Sequence, residues 1–361
     1  MRDLGLPIAV DAMGGDNAPD EIVAGAIRAV RELGVRVALL GPRENVDAAL
    51  RRCGAAPDDN LVPIDTPDVI GMDEHPANAV RAKPHASIVR SCALVAEGGA
   101  RAAVSAGNSG AMLAAALFTI RRIDGVARPA IGAAFPSAGG QTFMLDVGAN
   151  TDCKPEWLAQ FALMGEVYAR MMLGVARPRI GVLSNGEEAE KGSELVRSAR
   201  ALIEKLPLHF IGNVEGKDIF RGTCEVVVTD GFTGNIALKT AEGVSEFLFA
   251  TISREARASV SGRVGGALLK PRLRPLRDSV DYRKTGGALL LGVAGEVVIA
   301  HGRSDAEAIV NAIRVARDAS ERDVSGAIAA ISAPARRDVP ASAPERAAGG
   351  AGSPARAGIE R

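Results

Sequence analysis

Short runs of Val, Ile, Leu and Ala recur along the chain, and nearly every run stops in a turn of Gly, Asn, Asp, Ser or Lys before an amphipathic stretch begins. Ile8 to Val10 ends in Asp11, Gly14, Gly15 and Asp16, and Pro19 then fits the first position of a helix over Asp20 to Leu33. Val35 to Gly41 and Asn60 to Ile64 predict two further strands, so the chain opens as βαβαβ. Ala102 to Val104 runs into Gly107, Asn108, Ser109 and Gly110; Phe143 to Leu145 into Asp146, Gly148, Asn150 and Lys154. Ile180 to Leu183 leads to Ser184, Asn185, Gly186 and Lys191, and Phe210 to Ile211 leads to Asn213. Val226 to Val228 precedes Asp230, Gly231 and Asn235, and Val297 to Ala300 precedes His301.

Helical periodicity fills the intervals, as in Ser87 to Glu97, Glu156 to Leu173 and Glu194 to Lys205. Apolar strands alternating with amphipathic helices predict a largely parallel sheet covered on both faces. Ligands of such sheets bind beyond the carboxyl ends of the strands. Seven polar turns at strand ends therefore point to one shared site on the carboxyl edge. A preference of turns for Gly and Asn explains some of them equally well. The same holds for Gly14 and Gly15, which suit either an anion-binding turn or an ordinary tight βα connection.

Residues 65–85 lack periodicity and read as a long surface excursion. Lys83 within it is either a cation for an anionic ligand or a solvated side chain. Residues 247–277 differ in kind: they combine Phe247, Leu248, Phe249 and Ile252 with Leu268, Leu269, Leu273 and Leu276, and from Arg254 to Arg277 hold seven basic residues against one acid, Glu255. A basic, apolar helical hairpin suits an anionic membrane surface or an acidic protein, and equally a core or a dimer partner. Beyond Ile331 the chain is Ala, Pro, Arg, Ser and Gly without periodicity, which predicts disorder over 332–361 after a single catalytic domain over 1–331.

With 361 residues, 47% of them apolar, the chain can fill a large core. Lys+Arg and Asp+Glu stand at 43 each, which removes the global field expected of a nucleic-acid binder. Cys53, Cys92, Cys153 and Cys224 are far apart, without metal-ligand spacing, and predict reduced thiols in a cytoplasmic protein with no metal. The sequence shows neither a leader pattern nor a membrane-length apolar run. Gly212 to Asp218 misses the P-loop spacing, no GxGxxG follows the first strand, and Gly107 to Gly110 is not a nucleophile elbow. Of four histidines only His301 lies at a strand end, where it is either a site residue or a hydrogen-bonded structural one.

Together the stretches VDAMGGD (10–16), SAGNSGA (105–111), LDVGANTDCKPEWL (145–158), GEEAEKG (186–192), FIGNVEGKDIF (210–220), DGFTGNIALKTAEG (230–243) and GGALLLGV with IAHG (286–302) resemble the bacterial phosphate acyltransferases. That family makes acyl phosphate from acyl-acyl carrier protein and inorganic phosphate, early in phospholipid synthesis. The resemblance implies an isocitrate/isopropylmalate dehydrogenase-like three-layer α/β/α fold and a homodimer without cofactor. It also implies peripheral membrane association beside the membrane-bound glycerol-3-phosphate acyltransferase, with Leu268, Leu269 and Leu273 at the membrane. Ser184-Asn185 before GEE and the basic Arg283-Lys284-Thr285 depart from its pattern.

Phosphate is already anionic at neutral pH, so attack on a thioester needs no serine or cysteine relay. The protein must supply a phosphate pocket and donors for the tetrahedral oxyanion. We assign catalysis to Lys191, Asn235, Asp230, Asn150 and Lys154, with Asp230 the choice for a base. Binding falls to Asp11, Gly14, Gly15, Asp16, Lys83, Asn108, Ser109, Gly110, Asn185, Asn213, Gly231 and His301. Asp11, Asp16 and Asp146 would repel phosphate and are expected to orient lysines and amides. A dehydrogenase or phosphate acetyltransferase of the same fold, or a noncatalytic membrane scaffold for acyl carrier protein, are the alternatives.

Overall fold

The computed structural model describes residues 5–280, 284 and 286–332; the expected disordered tail lies outside them from residue 333 on, as do Arg283 and Thr285. The chain begins with β1 (Ile8–Asp11), α1 (Asp20–Leu33), β2 (Val37–Gly41), α2 (Arg43–Arg52) and β3 (Leu61–Asp65). It continues through α3 (Pro76–Ala82), α4 (Ser87–Ala96), β4 (Ala102–Ser105) and α5 (Ser109–Thr119). Next come β5 (Ala130–Ser137), β6 (Gly140–Leu145), α6 (Pro155–Met171), β7 (Ile180–Leu183), α7 (Glu194–Ile203), β8 (Phe210–Val214) and α8 (Asp218–Arg221). The last part holds β9 (Val226–Val228), α9 (Gly231–Ala258), α10 (Val260–Val280), β10 (Ala288–Leu291), β11 (Glu296–Ile299), α11 (Ala306–Glu321) and α12 (Val324–Ser332).

One 11-stranded sheet runs through the molecule in the order β3-β2-β1-β4-β11-β10-β5-β6-β9-β7-β8. Its strands bury both faces, so successive side chains join different cores. Phe143 and Leu145 enter one apolar cluster and Met144 the other; Val226 and Val228 divide from Val227 in the same way. Helices α1, α6 and α11 cover the first face and α4 and α5 the second, giving the three layers.

The sheet departs from the expected single carboxyl edge. Pairs β11/β10, β10/β5 and β5/β6 are antiparallel, so β3, β2, β1, β4 and β11 run one way and β6, β9, β7 and β8 the other. Short links account for two of the three steps, residues 292–295 joining β10 to β11 and residues 138–139 joining β5 to β6, too few for a parallel crossover; the third is the long-range antiparallel pairing of β10 with β5. β5, AIGAAFPS, escaped the sequence reading because Ala, Gly and Pro carry little strand preference.

Elsewhere the differences are small. Pro19 is the residue before α1 rather than its first residue. The excursion 65–85 contains α3. The 247–277 region is a helical hairpin, α9 against α10, turning at Ser259.

Candidate active site

The β1 turn is packed against protein backbone. A side chain at Gly14 would meet Asp11 Oδ2 and Gly107 N at 2.6 Å each, and one at Gly15, where φ is +101°, would meet Gly302 O at 2.8 Å. The two glycines thus let the β1 turn nest between the ends of β4 and β11, and Asp16 N donates to Gly302 O. Beneath it Asp11 is buried and accepts from Met13 N at 3.1 Å and from Ser105 Oγ at 2.7 Å; Ser105 Oγ in turn accepts from Gly107 N. Burial pushes the Asp11 carboxyl up from its ordinary value, against hydrogen bonds from Ser87, Ser105 and Met13.

Asn108 caps α5, accepting from Ala111 N, and its amide donates to the carbonyls of Met72 and Glu74. Glu74 pairs with Lys83 Nζ at 2.7 Å, and Lys83 also donates to Val69 O. Gly110 leaves room for Pro76. Asn108 and Gly110 therefore anchor the 65–85 segment to α5, while Lys83, partly exposed, ties the segment to itself through Glu74 and Val69.

A second carboxylate organises the opposite half. Asp146 is fully buried and accepts from Ile131 N, Gly148 N, Ala149 N, Asn150 N and Asn150 Nδ2 at 2.8–3.1 Å. Burial raises its pKa and those hydrogen bonds oppose the rise. Asn150 Nδ2 also donates to Pro129 O, and Gly231 N donates to Asn150 O. Asp230 caps α9 through Thr233 N and Oγ1, both at 2.8 Å. Lys154 precedes α6 and is exposed.

Lys191 rides on the exposed loop 184–192 and makes no salt bridge among the described residues. Two asparagines hold that loop: Asn185 Oδ1 accepts from Gly192 N, and Asn213 Nδ2 donates to Glu188 O at 2.7 Å and Lys191 O at 3.4 Å. Asn213 Oδ1 and Ser184 Oγ are buried without a partner among the described residues. Glu187, Glu215 and Asp218 lie close together, with Lys217 Nζ bonded to the first two.

A cleft of about 260 Å³ lies over the antiparallel centre of the sheet. Its floor is apolar, from Ile131, Ala133 and Phe135 of β5 and Ala288 of β10, with Leu238 and Ala241 of α9 as a wall. Polar groups reach it from both halves: Ser109 after β4, Gly148 after β6, Asn235 after β9, and His301 and Ser304 after β11.

Lys239, also lining it, sits 2.8 Å from Glu242 Oε2 and 3.4 Å from His301 Nε2. His301 Nδ1 accepts from Arg303 N. Burial, and then the Lys239 charge, hold the His301 imidazole below its ordinary 6.5, favouring the neutral ring.

Of the assigned residues, Ser109, Asn235 and His301 line the cleft directly. Asp11, Gly14, Gly15, Asn108, Asn150, Asp230 and Gly231 build the turns that carry them. Lys239 and Ser105 were missed. Lys239 was legible as the residue one helical turn beyond Asn235 on the same face; Ser105 stood in the strand-end turn SAGNSGA (105–111) without a role of its own.

Turns from two opposed strand sets meet over an apolar cleft in a three-layer α/β/α fold. Residues 6–327 match the family model described as fatty acid synthesis protein. The phosphate acyltransferase of Desulforudis audaxviator is 49% identical over 326 residues, covering 90% of this chain and 95% of that protein. That of Pelotomaculum thermopropionicum is 47% identical over 316 residues, covering 88% and 92%. A phosphotransacetylase structure from Streptococcus pyogenes superposes with a TM-score of 0.60 at 18% identity over 88% of this chain and 94% of that one, a likeness of fold. The chain belongs to the phosphate acyltransferase family, and as a member it is an acyl-transferring enzyme.

Proposed function

We propose that the protein transfers a long-chain acyl group from acyl carrier protein to inorganic phosphate, an early step of phospholipid synthesis. The observation that carries this reading is the cleft itself: an apolar floor with Ser109, Asn235, Lys239 and His301 among the residues that line it. An acyl chain suits the apolar floor and a thioester carbonyl the polar groups beside it.

In this reading a phosphate oxygen attacks the thioester carbon, the carbonyl oxygen takes up charge, and the C–O bond forms as the C–S bond breaks. The thiolate leaves on the carrier's pantetheine arm, whose thiol has a pKa near about 8.5 and needs little acid help. Asn235 donates to the developing oxyanion, while Lys191 and Lys154 neutralise phosphate from the loops that follow β7 and β6. Asp230 holds the first turn of α9, and it is the candidate base for monoprotonated phosphate. Asp11, Asp16 and Asp146 support the turns.

We further assign a membrane contact to the α9–α10 hairpin. Leu268 and Leu269 are 75% and 56% exposed, beside exposed Val260 and Val264 and half-buried Leu273. Among the described residues no helix is long and apolar enough to cross a membrane. An apolar rim flanked by Arg263, Lys270 and Arg272 suits an anionic surface. The cytoplasmic homodimer resting there would deliver acyl phosphate to the membrane-bound glycerol-3-phosphate acyltransferase, with residues 1–331 as one catalytic unit.

The test incubates protein with palmitoyl-acyl carrier protein and phosphate and traps acyl phosphate as hydroxamate. Lys191→Ala and Asn235→Ala are expected to lower turnover about 10²–10³-fold with the circular dichroism unchanged. Full activity in either variant removes that residue from the mechanism. No hydroxamate from the wild-type protein favours the noncatalytic scaffold.

A further inference from the structure

The cleft has two ends, and they differ. Ile131 O accepts from Val147 N, which fixes one end of the β5 floor beside the Asp146 turn, Gly148 and Asn235. Phe135 lies four residues on, about 13 Å at ~3.3 Å per residue. There the Phe220 ring meets it edge to face, centroids 6.1 Å apart at 78°. Phe220 belongs to the short helix α8, and its placement is specific. Its carbonyl accepts from Ala138 N at 2.9 Å, while Asp218 accepts from Glu215 N and Thr223 Oγ1. The ring is nonetheless 45% exposed, so it closes the cavity from outside rather than forming part of the core.

The apolar floor from Ile131 to Phe135 is about 13 Å long, so the length of chain held along it is set by what stands at its far end. A longer chain must displace whatever stands at the far end. We infer that Phe220 is the gate that sets acyl-chain length: chains reaching no further than Phe135 bind with the ring in place, and longer chains bind only by displacing it. Ala241, on the α9 wall, is small where a larger side chain would fill the trough. This inference rests on the acyl-transfer reading above and adds which residue discriminates among acyl donors.

The experiment measures kcat/KM by hydroxamate trapping with octanoyl- and palmitoyl-acyl carrier protein. In Phe220→Ala the sixteen-to-eight-carbon ratio is expected to rise at least about fourfold, the value of one additional buried methylene. In Ala241→Phe it is expected to fall by as much. An unchanged ratio in Phe220→Ala overturns the gate, as does an equal change for both donors, which would place the pantetheine arm in the trough. If the wild-type protein forms no hydroxamate from either donor, the acyl-transfer reading fails by itself. Calorimetric binding of octanoate and palmitate to wild type and Phe220→Ala then still decides the gate: a palmitate affinity unchanged relative to octanoate overturns it.

Discussion

Ser105 Oγ donates to Asp11 Oδ2 at 2.7 Å across the ends of two neighbouring strands, with Gly14 pressed against the pair. Nothing larger than glycine fits above that bond. Gly14→Ala is expected to destabilise the protein by about 1–3 kcal/mol, because its Cβ would sit 2.6 Å from both a carboxylate oxygen and a backbone nitrogen. Guanidinium denaturation measures the loss. A variant as stable as the wild type would show that the turn has room to shift.

Asp11 also makes stability depend on pH in a defined direction. Its folded pKa lies above the ordinary 3.8, so the folded state holds the proton more tightly than the unfolded one. The resulting stabilisation is present below about 3.8 and is lost as pH rises through the raised value. Relative to wild type, Asp11→Asn should gain stability between about pH 3 and pH 7, whatever its offset from rearranged hydrogen bonds. Unfolding free energies of both proteins across that range test this, and a constant difference would count against it.

Asn213 donates to two carbonyls of the loop that carries Lys191. Asn213→Ala leaves those carbonyls to water and is expected to cost about 1 kcal/mol of stability. The larger effect should fall on function, as a raised KM for phosphate once the loop loosens. Steady-state kinetics with varied phosphate would show it, and an unchanged KM would separate the loop from phosphate binding.

Lys239 is the second cause, after burial, of the lowered His301 pKa. Lys239→Met should raise that pKa toward 6.5 while burial keeps it below. In the wild type a depressed value means that stability is lost as pH falls below about 6.5, because the unfolded chain takes up the proton first. An NMR titration of the His301 ring in both proteins reads the shift, and a pKa that stays or falls removes Lys239 as its neighbour in solution.

The strand-end turns were legible because their residues answer to local rules. Asp20–Leu33, Ile180–Leu183 and Val226–Val228 occur in the structure with the bounds that their periodicity indicates. The roles inside the turns were less so. Lys83 read as a cation near a proline, but its partner Glu74 lies nine positions away and meets it only because α3 folds the intervening chain back.

By itself the sequence determined the layer order, the strand-helix alternation and the set of turns from which a site must be drawn, because apolar periodicity and turn chemistry act over a few residues. Tertiary structure decided that the sheet reverses at β10 and β5, and that an apolar trough of alanines and phenylalanines lies between Asn235 and Phe220. It also decided that Lys239, rather than Lys83, faces the cleft. Those outcomes depend on which segments pair across more than a hundred residues, and that pairing is set by packing of the whole core rather than by any local preference.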